Sequence, residues 1–181
     1  MAHPEYNAEN DVIELVPYNP EWPSLAQKEI AILRKSLPAE HIIDIQHVGS
    51  TAISNMRAKP ILDIQIAVDS LEAIKPMAIS ALAQLEYIFW DANPDLERMF
   101  FVKSMPPFGE KRTHHVHITE YTSKHWQDKI FFRDYLKAHP ETAKEYEDLK
   151  CTLEKRYKYD REQYTDAKTS FINKVLIYRF T

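Results

Sequence analysis

This chain of 181 residues contains two glycines, Gly49 and Gly109. At the ordinary usage of about 7%, a chain this long would hold roughly a dozen. A backbone so poor in glycine has few places to turn through positive φ or to approach a ligand closely, so the position of each glycine constrains the fold. Gly49 stands directly between an apolar run, His41 to Ile45, and the pair Ser50-Thr51. A second apolar run follows, Pro60 to Val68, with one carboxylate, Asp63, inside it. A strand, a Gly-Ser turn, a short connection and an acid-bearing strand form the layout of a phosphate and metal site. The turn also suits an ordinary strand-to-helix junction with a Ser/Thr cap.

The periodicity orders the rest of the chain. Val12 to Val16 alternates and reads as a strand. Leu25, Ile30, Ile32 and Leu33 mark an amphipathic helix ending near Pro38. Ile42 to Val48 reads as a strand, and Thr51 to Asn55 as a short helical turn. Ile61 to Val68 is so continuously apolar that it reads as a strand covered on both faces. Asp69-Ser70 caps a helix from Leu71 to about Leu85, which carries Pro76 inside it. Strands follow at Glu86 to Trp90, Arg98 to Lys103 and His114 to Glu120. The last alternates strictly, so His115 and His117 share one face. From about residue 123 the period becomes helical. Pro140 divides two helices and suits the first turn of the second. A last helix carries Tyr164, Phe171, Ile172, Val175 and Leu176. Sheet first and helices last give one α/β (α+β) domain over residues 11–181 with a helical C-terminal part. Residues 1–10 read as disordered.

Composition bounds the partners. A formal net charge of -4 argues against a surface that coats nucleic acid. One cysteine, Cys151, excludes an internal disulfide and fits a reducing compartment, hence a cytoplasmic protein. No stretch approaches the ~20 apolar residues of a membrane span. Cys151 and the aromatic C-terminal residues (Trp126, Phe131, Phe132, Tyr135, Tyr146, Tyr157) read as packing.

Four groups carry chemistry. A helix N-terminus offers unpaired N–H groups and a positive dipole end, so Gly49, Ser50 and Thr51 are candidates for holding phosphate. Asp63 sits in an apolar strand, where a carboxylate is costly unless paired or bound to metal. It suits a divalent ion or a plain pairing with Lys59. Gln65, next on the same face, is neutral and a weak ligand. His115 and His117, with His47 before the glycine, suit a transition metal or proton transfer, or structural hydrogen bonds. Lys59, Arg98, Lys103 and Arg112 flank the strands and suit a phosphate or carboxylate.

The runs His47-Val48-Gly49-Ser50-Thr51-Ala52-Ile53, Ala58-Lys59-Pro60-Ile61-Leu62-Asp63-Ile64, Thr113-His114-His115-Val116-His117 and Phe132 to Pro140 resemble the GrpB family from about Val12 to Leu176. That family looks like a branch of the nucleotidyltransferase (polymerase-β-like) superfamily, and a similar domain follows dephospho-coenzyme A kinase in some bacteria. The resemblance implies a mixed sheet flanked by helices, with the site between the Gly-Ser turn and the acid-bearing strand. Carried over residue by residue, the glycine-serine element falls on Gly49 and Ser50, and the first acid on Asp63. The second acid falls on Gln65, a departure. The third falls where this chain has His115 or His117, which shifts the expected ion from Mg²⁺ towards Zn²⁺, Mn²⁺ or Ni²⁺.

The expectation is therefore an enzyme resembling a nucleotidyltransferase, binding a nucleotide or phosphorylated small molecule with a divalent metal. Gly49, Ser50, Thr51, Lys59 and Arg112 would hold phosphate. Asp63, His115 and His117 would be metal ligands and catalytic groups. Two alternatives remain: a non-catalytic nucleotide-binding or regulatory domain, favoured by Gln65, and a metal-dependent hydrolase using the same Asp and His set.

Overall fold

The computed structural model describes residues 12–180, so the segment 1–10 expected to be disordered lies outside the described residues. Five strands form one sheet: β1 (Ile42–Val48), β2 (Leu62–Val68), β3 (Tyr87–Phe89), β4 (Arg98–Lys103) and β5 (His114–Glu120). Their order is β1-β2-β5-β4-β3. β2 and β5 run parallel, and the other pairs are antiparallel. The sheet is mixed, and the apolar β2 is an interior strand.

Strand periodicity gives the sheet two different faces. Ile64, Ile66, Val68, Val116 and Ile118 point to one side and form the main core with Phe101. Helices α1 (Trp22–Ser36) and α2 (Leu71–Ala83) cover it through Ile30, Leu33, Ile74 and Leu82. Each of these buried side chains contributes up to roughly 1.5–3 kcal/mol of transfer free energy. The alternate positions Asp63, Gln65, His115, His117 and Thr119 point to the other side. The register sets Asp63 beside His115 and Gln65 beside His117. A polar face needs partners or a ligand rather than an apolar lid.

The C-terminal helices lie over this face: α3 (Lys124–Ala138), α4 (Pro140–Arg156), α5 (Arg161–Asp166) and α6 (Thr169–Leu176). Ser123 caps α3 by accepting from Trp126 N–H at 3.2 Å, and Asp160 caps α5 by accepting from Gln163 N–H at 3.0 Å. Pro140 opens α4, where its missing N–H costs nothing. Two ties fix the roof to the sheet. Gln65 Nε2 donates to His125 C=O at 3.0 Å, and Arg133 Nη1 donates to Gln46 Oε1 at 2.8 Å and to His47 C=O at 2.9 Å. Among the described residues no helix is long and apolar enough to cross a membrane.

Two elements differ from the sequence expectation. Val12 to Val16 is not a strand of the sheet. It makes one bridge, Val16 to Ala58. Its other amides turn to the roof, Ile13 N–H to Lys158 C=O at 2.9 Å and Leu15 N–H to Glu154 Oε1 at 2.7 Å. The alternation is real, because Ile13 and Leu15 are buried, but the partner is a helix end and not a strand. The single last helix is two, broken at Ala167-Lys168.

Candidate functional site

Gly49 adopts φ 72°, and a β-carbon added there would stand 2.5 Å from Asp63 Oδ2. Val48 pairs with Asp63 across β1 and β2, so the turn directly follows the position opposite the acid. Glycine is required twice, by backbone conformation and by space. The turn continues into a three-residue 3-10 helix, Ser50–Ala52, and then extends at Ile53. It is not an α-helix N-terminus. Any anion held there meets individual amides and the Ser50 hydroxyl rather than a developed helix dipole.

Thr51 lines the same cavity, yet its hydroxyl is engaged inside the scaffold. It hydrogen-bonds His47 Nε2 at 2.9 Å and donates to Ile61 C=O at 3.4 Å. His47 thus braces the turn, and its position on β1 directs it away from Asp63. Burial pushes its imidazole down to about 4.

Asp63, His115 and His117 form a compact group. His115 Nδ1–H donates to Asp63 Oδ1 at 3.0 Å, and His117 Nε2 lies 3.9 Å from the same oxygen. Phe100 stacks on His117 at 4.9 Å between centroids and meets His115 edge-on at 5.1 Å, which holds both rings. Burial alone would raise the Asp63 carboxyl, but the hydrogen bond from His115, with the nearby His117 imidazole, outweighs it and holds it well below the usual range. Burial pushes His115 down to about 4 despite Asp63 beside it, and pushes His117 down as well, with the Lys129 ammonium adding to the effect. A neutral His115 whose Nδ1–H is held by a carboxylate keeps its lone pair on Nε2. That atom is buried and has no hydrogen-bond partner among the described residues.

One ligand atom from each of the three residues falls within 4.8 Å of the others. This mixed nitrogen and oxygen set fits a single divalent cation of the Zn²⁺ or Mn²⁺ type better than Mg²⁺. One contact opposes it. Arg98 Nη1 donates to His117 Nδ1 at 3.3 Å, so the neutral ring carries its proton on Nε2, the nitrogen facing Asp63.

A cavity of about 510 Å³ opens over this group. The candidates Gly49, Ser50, Thr51, Lys59 and Arg112 all line it, together with Asp63, His115 and His117. Two other candidates fall elsewhere. Lys103 points to the opposite face and pairs with Glu29 at 2.9 Å. Gln65 is fully buried, and its Nε2 donates to His125 C=O and to Thr119 Oγ1. Its side chain is a tie between sheet and roof.

Sequence reasoning missed the roof's cations. Lys129, Lys150, Arg161 and Lys168 line the cavity from α3, α4, α5 and the α5-α6 break. Tyr146, read as packing, and Tyr164, placed on the last helix, line it too. A signal was present. Lys129 falls between Trp126 and Phe132, Lys150 between Tyr146 and Leu153, and Lys168 between Tyr164 and Ile172, all at helical spacing. Each lysine interrupts an inward apolar stripe.

A family profile described as GrpB protein matches residues 12–177. A UPF0157 protein of Pseudomonas aeruginosa is 40% identical over 170 residues, covering 94% of this chain and 69% of that protein. A dephospho-CoA kinase of Mycolicibacterium paratuberculosis is 32% identical over 177 residues, covering 86% of this chain but only 43% of that protein. The crystal structure of conserved protein GrpB from Enterococcus faecalis superposes with a TM-score of 0.80 at 28% identity, covering 91% of this chain and 96% of that one.

Proposed function

The chain belongs to the GrpB family, and on that premise we propose that its cavity binds a nucleotide or another phosphorylated small molecule with one divalent cation and transfers a nucleotidyl group. The observation that carries this reading is the meeting, in one cavity, of the Gly49-Ser50 turn, the Asp63-His115-His117 group and a basic wall that includes Lys59 and Arg112. Phosphate needs amide and hydroxyl donors at short range and cations around it. Tyrosine rings in the wall suit the flat part of such a ligand.

Asp63, His115 and His117 would hold the cation, which when bound neutralises charge on phosphate oxygens. The remaining work belongs to the chain. Gly49 and Ser50 position phosphate against Asp63. Lys59 and Arg112 offset its charge. Asp63 fixes the His115 tautomer, so that Nε2 would present its lone pair to the cation, and the acceptor's proton passes to solvent water as the acceptor oxygen bonds to phosphorus and pyrophosphate departs. One observation favours a second reading, a binding module without turnover: Gln65 is spent on the roof, and two-ion chemistry lacks its second carboxylate.

Calorimetry with ATP, GTP and CTP, each with Zn²⁺, Mn²⁺ or Mg²⁺, tests the ligand class. Binding that weakens at least tenfold in Asp63→Asn supports it, and absence of binding for every nucleotide and ion sinks it. Release of pyrophosphate with an acceptor panel separates transferase from binding module. With a single cysteine, the chain would act in a reducing compartment, the cytoplasm.

A further inference from the structure

We propose that Lys129, Lys150 and Lys168 form a second oxyanion subsite in the roof of the cavity, apart from the Gly49-Ser50 turn, whose ligand is a condensed phosphate carrying at least two phosphoryl groups. This rests on the proposed reading only in using the same cavity.

The three ammonium groups come from different places in the roof and converge on one space. Lys150 is 2% exposed. Among the described residues none of the three makes an ion pair, and they share a single hydrogen bond, from Lys150 Nζ to Arg57 C=O. An ammonium group has three donors, so most of their donor capacity is unused by the protein. Burying charge without a partner is expensive. The fold treats another half-buried amine differently: Lys103 is paired with Glu29 at 2.9 Å. Cations placed only for structure would have such acids.

Burial, with repulsion from Lys168, pushes Lys150 down to about 7, and burial pushes Lys129 and Lys168 down to about 8. The three are held close, in a wall with few acids. Asp128, the acid in that wall apart from Asp63, is paired with Arg179. Aromatic faces hold the ammonium groups without neutralising them. Lys150 lies 5.2 Å from the Tyr146 ring centre and Lys168 4.4 Å from that of Tyr164.

Tyr164 also links the two subsites. Lys59, from the β2 side, approaches the same ring at 5.4 Å. The two ammonium groups on that ring are therefore within roughly 10 Å of each other, a span suited to a short chain of phosphoryl groups. One phosphate would satisfy the turn and leave the roof uncompensated. A chain of two or three reaches both.

The test is calorimetry of the full chain at pH 7 and low salt with inorganic orthophosphate, pyrophosphate, tripolyphosphate and citrate. Tripolyphosphate should bind at least tenfold tighter than orthophosphate. Lys168→Ala should remove most of that step and leave orthophosphate affinity unchanged, while Lys168→Arg should keep it. Lys129→Gln is the second variant, used because Lys150 is too deeply buried to be truncated safely, and circular dichroism confirms that both fold. Equal affinity for orthophosphate and tripolyphosphate would overturn the proposal, as would a step that survives both variants. Citrate binding as tightly as tripolyphosphate would overturn the phosphate assignment. The inorganic ladder with no nucleotide binding sustains this subsite and sinks the nucleotide reading. AMP, ADP and ATP binding equally, with no inorganic ladder, does the reverse.

Discussion

Asp63 Oδ2 occupies the place that a side chain on residue 49 would take, 2.5 Å from where a β-carbon would stand. The acid and the glycine are one device. The carboxylate can turn one oxygen to the turn and the other to His115, at 3.0 Å, only because the turn has no side chain.

Gly49→Ala should therefore damage both stability and the site. Positive φ costs on the order of 1–3 kcal/mol, and crowding the carboxylate adds a similar amount. We expect denaturant unfolding to show roughly 2–4 kcal/mol lost, and metal and nucleotide binding to fall together. A loss below about 1 kcal/mol would mean that the turn relaxes freely.

Gln65 offers a sharper test of the site's ancestry. By the resemblance to nucleotidyltransferases, Gln65→Glu or Gln65→Asp supplies a second acid. The buried amide is instead a donor to His125 C=O and Thr119 Oγ1, and a carboxylate cannot donate. We expect either change to cost roughly 2–4 kcal/mol and to leave Mg²⁺ affinity unchanged. Tighter Mg²⁺ binding by calorimetry, with stability retained, would return Gln65 to the metal site.

Arg98 sets the tautomer of His117. Its N–H on Nδ1 keeps a proton on the nitrogen that a metal would need, and its charge repels a cation. Arg98→Met should tighten Zn²⁺ binding by about tenfold, within the range of outer-ligand effects. Weaker binding would show that Arg98 supports the ion instead.

Acid should unfold the protein through its neutral imidazoles. His47, lowered to about 4 by burial, is uncharged in the fold from its ordinary value near 6.5 down to about 4, while the unfolded chain takes up a proton in that window. The unfolded state binds more protons, so stability falls as pH falls from about 6.5 to 4. His47→Gln should lose less stability over that range in thermal melts. An unchanged slope would assign the acid sensitivity elsewhere.

The roof lysines give the opposite window. Lys150 is lowered to about 7 in the fold and stays protonated to about 10.5 when unfolded. Between these values the unfolded state again binds more protons, so the ligand-free protein should gain stability from pH 7 to 9.5. Lys150→Met should flatten that rise. Tripolyphosphate affinity should fall over the same interval, because the anion binds the charged amines. Affinity that stays level to pH 9.5 would contradict this.

The sheet was legible because its strands either alternate strictly or, like β2, run almost continuously apolar. The strands Arg98–Lys103 and His114–Glu120 match their sequence bounds, and alternation alone set His115 and His117 on one face. The Gly49-Asp63 layout was legible because glycine is so scarce that its position carried information. The roof was not. Its lysines sit in apolar stripes, and a stripe reports which face turns inward without saying whether it meets a core or a cavity. Tyr146 belongs to both: it packs with Leu136 and also lines the cavity. Thr51 looked like a phosphate ligand because its partners, His47 and Ile61 C=O, are fixed by a backbone path that local pattern does not report. Val12 to Val16 misled for the same reason, since alternation shows which residues are buried but not what they pair with.

The strap at Ile13 to Val16 has a kinetic consequence. Leu15 N–H reaches Glu154 across 139 residues, Arg57 N–H reaches Glu147 across 90, and Lys150 reaches Arg57 C=O across 93. These contacts close the wall between the turn and the roof, and they are among the costliest loop closures the chain makes. During synthesis the sheet and its α1-α2 layer have their residues in hand once β5 emerges, whereas the wall must wait for α4. The cavity is thus among the last parts of this domain that can come into existence, and for that interval the polar face of the sheet stands open to water.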